Sequence, residues 1–250
     1  MRNIQKIFKE NLLLKVTSIN GVGTIVALLT GIITQKALAI FVGPQGLGMI
    51  GNFRDFLEAI KTISTAGIAN GIVKYVSEFK KDVSKLTETL STAMFILLVP
   101  AIVLSLALFF SAAHWNQKIF SEEYNFTLFF KIAALALPLY AINLLIISVI
   151  NGYAKYKIVV SINIVSNVVT LCILLILLWQ LRLEGALYAI LLAPVLSLLI
   201  TLGFIFKKRY NIVLFKISGV SKQQFIKFFP FMIMALISSI SLPVVRIAIR

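Results

Sequence analysis

Long apolar runs, each about the length of one membrane crossing, alternate along this chain with short polar stretches that hold most of its charge. A helix needs about 20 apolar residues to cross the hydrocarbon core. Runs of that kind fall at Val16–Val42, Leu47–Val73, Leu90–Ala112, Leu128–Ile150, Ile158–Leu181, Gly185–Phe206 and Phe228–Arg250. They lack the short alternating segments of a membrane β-barrel, so all seven are predicted as helices. The second run is the least hydrophobic and the most charged. Ahead of the first, Met1 to Lys15 has no apolar core. Ile4, Ile7, Phe8 and Leu12 give it one apolar side, which reads as a short amphipathic segment and not as a cleavable signal.

Composition agrees with the pattern. Hydrophobic residues make up 60% of the chain, charged residues 13%, and the mean hydropathy is +0.99. Soluble domains carry roughly 45–50% apolar and about 25% charged residues. The net charge of +15 does not point to nucleic acid, because the basic residues are not gathered on one face of a folded domain. They fall between the apolar runs, where anionic lipid and the positive-inside rule account for them. Arg2, Lys6, Lys9 and Lys15 precede the first run, and Lys74, Lys80, Lys81 and Lys85 follow the second. Lys155 and Lys157 follow the fourth, and Lys207, Lys208, Arg209, Lys216, Lys222 and Lys227 follow the sixth. Connections of the opposite parity offer Lys118 and Arg182. This asymmetry predicts a multi-pass protein of the bacterial inner membrane with its N-terminus in the cytoplasm.

The expected fold class is an all-α integral membrane protein: a six-helix lobe over 1–206, a cytoplasmic linker over 207–227, and the start of a second lobe over 228–250. An odd helix after a six-helix unit reads as a truncated two-lobe protein.

Candidate chemistry concentrates where charge enters the runs, since an ionisable group inside a membrane helix is costly and faces a cavity or a partner. Arg54, Glu58 and Lys61 stand at i, i+4 and i+7 on one face of the second run, with Asp55 three residues before Glu58. Lys36 lies at similar depth across the turn Gly43-Pro44-Gln45-Gly46. One reading is mutual neutralisation, Arg54 with Glu58 and Lys61 with Glu58 or Asp55. The other is a hydrated cavity whose excess of cations attracts an anionic group such as a diphosphate. In the fifth run Asn163, Ser166, Asn167 and Thr170 form a stripe that suits either a water-filled cavity or interhelical hydrogen bonds. Gly23, Ala27 and Gly31 read as a ridge for close helix packing. Arg246, on the otherwise apolar seventh run, either completes the cationic cavity or snorkels to an interface. Cys172 is the sole cysteine and His114 the sole histidine, so no metal site, disulfide framework or nucleophile–histidine–acid set is expected. A Gly-rich phosphate loop is absent as well. No catalytic residue, cofactor or metal is therefore predicted.

Four ordered blocks carry a resemblance. They are Gly43-Pro44-Gln45-Gly46-Leu47-Gly48, Asn52-Phe53-Arg54, Ala66-Gly67-Ile68 with Asn70-Gly71, and Lys74-Tyr75-Val76. Together they resemble the N-terminal region of the O-antigen translocases, the enterobacterial common antigen lipid flippases among them. Glu184-Gly185-Ala186-Leu187, Ala193-Pro194 and Met234 to Pro243 are similar as well. The resemblance implies the multidrug/oligosaccharidyl-lipid/polysaccharide exporter superfamily, whose members set two six-helix lobes in a V and alternate between inward- and outward-open states. The implied substrate is an undecaprenyl-diphosphate-linked oligosaccharide, moved from the cytoplasmic to the periplasmic leaflet without ATP under an ion gradient. The implied partners are that lipid-linked glycan, membrane lipids, a polysaccharide polymerase and a chain-length regulator. Lys36 and Arg54 match positions that are basic in the family. Asp55, Glu58 and Lys61 fall where its members are uncharged, which leaves their roles open. Helices 1, 2 and 7 line the lobe interface in the family, and here they carry Lys36, Arg54 and Arg246.

The site expected on both grounds therefore has Lys36, Arg54, Lys61, Arg246, Asn163 and Asn167 toward substrate, and Asp55 and Glu58 as ion-coupling or charge-balancing groups. Competing functions are a drug/cation antiporter of the same superfamily, working through Asp55 and Glu58, and a membrane polysaccharide polymerase. The antiporter is disfavoured by the cation excess. The polymerase would need a longer outer loop than the one around His114 to Thr127. A purely structural subunit would not need charges at mid-membrane depth.

Overall fold

The computed structural model describes residues 12–120, 124–207 and 220–248, and among their side chains those of 17–120, 124–207 and 220–235. The described chain is helical and without strands. Its elements are α1 (Leu12–Ser64), α2 (Ala69–Phe79), α3 (Val83–Phe110), α4 (Ala112–Phe120), α5 (Thr127–Gly152), α6 (Tyr156–Lys207) and α7 (Lys222–Ala248). Length and apolarity suffice for membrane crossing in the stretches Thr17–Phe79, Val83–Phe110, Thr127–Gly152 and Tyr156–Lys207. The protein is thus a multi-pass, all-helical membrane protein. The N-terminal amphipathic segment, Glu122 and Glu123, positions 208–219 of the linker and the side chain of Arg246 lie outside the described residues.

At 53 and 52 residues, α1 and α6 would each be about 80 Å long if straight, far more than the ~30 Å hydrocarbon core. Each folds back at one residue instead. In α1 the corner is Gly43 (φ 73°, ψ −179°), followed by Pro44. In α6 it is Arg182 (φ 48°, ψ −117°). The reversal in α6 is tight. A Cβ placed on Gly185 would lie 2.0 Å from the carbonyl oxygen of Leu177, whereas eight residues of straight helix span about 12 Å. Each helix is therefore a hairpin of two arms, 12–42 with 44–64 and 156–181 with 183–207, as the sequence breaks at Gly43-Pro44 and Arg182 predict.

The hairpins lie side by side and in register. At the corners, a Cβ on Gly46 would sit 3.6 Å from Leu183 Cδ1. Toward the other end, a Cβ on Gly23 would sit 3.0 Å from Val160 Cγ1.

The structure departs from the predicted spans in three places. The second run is not one helix: it ends at Ser64, turns through Ala66 (φ 45°) and Gly67 (φ 61°), and resumes as α2. The polar loop before α3 is shorter than expected, because Asp82 accepts the Lys85 N–H at 3.1 Å and starts the helix at Val83. The outer loop around His114 contains the short helix α4.

An aromatic cluster fixes the arm 44–64. Phe53 is fully buried against Phe130 (centroids 5.3 Å, edge-to-face) and Phe120 (5.6 Å), and Phe56 meets Trp115 at 4.7 Å. With Ile50, Phe53 and Leu57 facing this core, the face one residue on, Arg54 and Glu58, turns away from it. α7 packs on α2 through Phe228 and Phe231, which fill the space above Gly71, and the Tyr75 hydroxyl donates to the Lys227 carbonyl at 3.1 Å.

Candidate functional site

Between the two hairpins lies a cavity of about 800 Å³, walled by all four arms. The arm 12–42 contributes Asn20, Thr24, Thr30, Thr34 and Gln35, with Gly23, Ala27 and Gly31 between them. The hydroxyls of Thr24 and Thr30 donate to carbonyls of their own helix, to Asn20 at 3.0 Å and to Val26 at 2.9 Å. Their oxygen lone pairs are left toward the cavity. The expected packing ridge behaves unevenly. Gly23 is in contact with Val160, whereas nothing lies within 4 Å of a Cβ on Gly31. The ridge is mostly cavity wall, since Gly23, Ala27 and Gly31 all line the cavity.

The arm 44–64 brings in the charges. Arg54, Glu58 and Lys61 all face the cavity, as their spacing predicts. Lys61 Nζ lies 2.9 Å from Glu58 Oε1 and 5.3 Å from the centroid of the Tyr140 ring. The neutralisation reading thus holds for Lys61. Arg54, half-buried, has no ion pair among the described residues. Two cations and one carboxylate leave the lining with one net positive charge, and it rests on Arg54.

The arm 156–181 supplies the whole polar stripe, Asn163, Ser166, Asn167 and Thr170, and the arm 183–207 supplies Ser197 among small apolar residues. Behind Ser197, Asn143 of α5 donates its Nδ2 to Ser197 Oγ at 2.9 Å.

Of the residues expected toward substrate, the cavity thus gathers Arg54, Lys61, Asn163 and Asn167, together with Glu58. Lys36 and Asp55 are exposed and do not line it. Gln35 occupies the cavity face, and a one-residue step turns Lys36 about 100° around the helix. Sequence reasoning missed Asn20, Thr24, Thr30 and Thr34, although their spacing places them on one helical face. It also missed Ser197 and Asn143, which carry no such local signal.

The family model described as "Polysaccharide biosynthesis protein" matches residues 13–249. Two proteins named "Lipid III flippase", from Escherichia coli (strain K12) and Shigella flexneri, are each 30% identical to this chain over 99 residues. Those residues are 40% of this chain and 24% of either relative, so the match spans about a quarter of the relatives' length. The fold is shared with a solved MOP superfamily transporter from Pyrococcus furiosus, at a TM-score of 0.70 and 13% identity, over 92% of this chain and 53% of that one.

Proposed function

Because the chain belongs to the polysaccharide biosynthesis protein family, we propose that it moves a lipid-linked oligosaccharide across the bilayer, its polar head in the cavity and its polyprenyl tail in lipid. The carrying observation is Arg54: a guanidinium held in a polar cavity at membrane depth with no ion pair among the described residues. Such a group is expensive in a membrane unless a water-filled cavity or an anion accompanies it. A diphosphate suits it, because a guanidinium offers a planar fork to phosphate oxygens. At an effective dielectric constant of about 20, one such contact at 4 Å is worth about 4 kcal/mol before desolvation.

The finer reading is an undecaprenyl-diphosphate-linked repeat unit of O-antigen type, passed from the cytoplasmic to the periplasmic leaflet by alternating access. The chain acts in it as a transporter and not as an enzyme. Residues 1–206 form one lobe, 207–227 the linker and 228–250 the start of the second. Membrane lipids, a polymerase and a chain-length regulator are its partners, and Arg246 is a further cation toward the lobe interface. Lys36, exposed near the corner, meets the headgroup late in the cycle. A cation antiporter would need carboxylates free to bind H⁺ or Na⁺, and the cavity's Glu58 is engaged by Lys61.

The test is export of the glycan in cells lacking their own flippase. Arg54→Glu is expected to abolish export while the protein remains in the membrane at normal abundance. Full export by Arg54→Ala would overturn the headgroup role. Transport that survives Arg54→Ala but not Glu58→Gln would favour the antiporter.

A further inference from the structure

The cavity is not uniform along its length, and its register can be counted. The corners at Gly43 and Arg182 meet at Gly46 and Leu183, so residues counted from either corner share levels. The contact of Gly23 with Val160 checks the count: they lie 20 and 22 residues from their corners, about 30 and 33 Å at 1.5 Å per residue. Arg54 lies 11 residues from its corner, about 16 Å. Asn167 and Asn163 lie 15 and 19 residues from theirs, about 22 and 28 Å. Ser197, 15 residues from the corner on the other arm of α6, stands level with Asn167. Arg54, without an ion pair among the described residues, is thus at the corner end. The uncharged stripe of the facing arm, a hydrogen-bonding wall, lies about 6–12 Å nearer the open end, level with the paired Glu58 and Lys61.

This wall has unused bonding capacity. Ser166 is 9% exposed, and its Oγ has no hydrogen-bond partner among the described residues. Asn143, 6% exposed, spends its Nδ2 on Ser197 Oγ and leaves its Oδ1 unpartnered among them. Buried polar atoms are nearly always satisfied. Among the described residues three are not: Ser166 Oγ in the wall, Asn143 Oδ1 behind it, and Gln224 Oε1 away from it on α7. What a ligand in the cavity would meet directly are the carboxamides of Asn163 and Asn167, which line it. Carboxamides and hydroxyls both donate and accept, which matches the hydroxyls and acetamido groups of sugars. They offer nothing special to a diphosphate.

Resting on the headgroup reading above, we propose that the cavity reads its substrate in two zones: Arg54 holds the diphosphate, and Asn163, Ser166 and Asn167 bind the first sugars of the glycan. Ser197, oriented by Asn143, completes the sugar zone, with Asn143 acting as a positioning residue. The wall is therefore where the glycan is recognised, and changes in it alter which repeat unit is accepted.

The experiment compares two probes on the whole chain in lipid nanodiscs: undecaprenyl diphosphate, and the same lipid carrying an N-acetylhexosamine-containing oligosaccharide. The unchanged protein is expected to bind the glycosylated probe about tenfold tighter, the worth of one or two net hydrogen bonds. Asn163→Ala with Asn167→Ala should erase that increment and leave affinity for the bare diphosphate within about twofold, which also certifies the fold. Should the double variant fail to fold, Ser166→Ala serves instead, since it deletes one unpartnered hydroxyl. Asn143→Leu should shrink the increment in the same selective way. An increment that is absent in the unchanged protein, or intact in the wall variants, overturns the proposal, as does equal weakening of both probes. Arg54→Gln separates the two readings. If it spares the bare diphosphate while the wall variants still erase the increment, the headgroup role fails and the sugar wall stands.

Discussion

Arg54 and Lys61 share a helix face and a cavity, yet their circumstances are opposite. Lys61 is paired with Glu58 and seated over Tyr140, so its charge is balanced by a neighbour. The charge of Arg54 is available. Asp82 carries a different single-residue prediction. Its carboxylate caps α3 by accepting the Lys85 N–H, and that bond, with the nearby lysine ammonium, lowers its pKa from the ordinary 3.8. A depressed folded pKa gives stability that is present above the unfolded value and lost as pH falls through the folded one. Protection of the Lys85 amide, taken relative to its intrinsic exchange rate at each pH, is therefore expected to hold down to about pH 4 and to fall below it. Asp82→Ala should show the lower protection at every pH.

At the scale of elements, several glycines set how closely the chain approaches itself. At Gly185 a methyl group would meet the Leu177 carbonyl at 2.0 Å, and backbone cannot move aside as a flexible side chain does. Gly185→Ala should cost about 1–3 kcal/mol, the range for overpacking, seen as a fall in unfolding temperature in detergent. Gly67 combines φ +61° with a would-be contact of 1.8 Å to Ala235 of α7, so Gly67→Ala should loosen α7 from α2 as well. Gly31→Ala is the control. Nothing lies near that position, and alanine in mid-helix gains roughly 0.5–1 kcal/mol over glycine. The broken second run also belongs to this scale. Ala66 and Gly67 both take left-handed backbone, which ends the arm at Ser64 and lets α2 set out on a new line toward α7.

For the whole molecule, the distribution of lysine and arginine predicts which ends of the hairpins face the cytoplasm. Single-cysteine labelling tests it, and the chain helps, since Cys172 is the sole cysteine to be removed first. In a Cys172→Ser background, Lys81→Cys is expected to react with a membrane-impermeant maleimide only after the inner membrane is opened. His114→Cys should react in intact spheroplasts. The reverse pattern would invert the orientation. At this scale the cavity is an assembly of two hairpins whose corners, Gly43 and Arg182, lie more than 100 positions apart in the chain, held in register where those corners touch.

The sequence by itself determined the elements and much of their polarity. Apolar length, the turn Gly43-Pro44-Gln45-Gly46, the polar gap around Arg182 between two apolar runs, and the i, i+4, i+7 spacing of Arg54, Glu58 and Lys61 are local properties, and local periodicity suffices to place a residue on a helix face. The Asn163 to Thr170 stripe was legible for the same reason. What periodicity does not supply is what stands opposite. Whether Gly31 meets a helix or open space, and whether Lys36 or Gln35 faces the cavity, depends on how two distant hairpins are rotated against each other. So does the pairing of Ser197 with Asn143, from separate helices 54 positions apart. Among the pairings the sequence offered, the structure shows Glu58 with Lys61, a local i, i+3 contact, and leaves Arg54 without an ion pair among the described residues. Pairing energies depend on distance and dielectric in three dimensions, and neither is written in the order of residues along the chain.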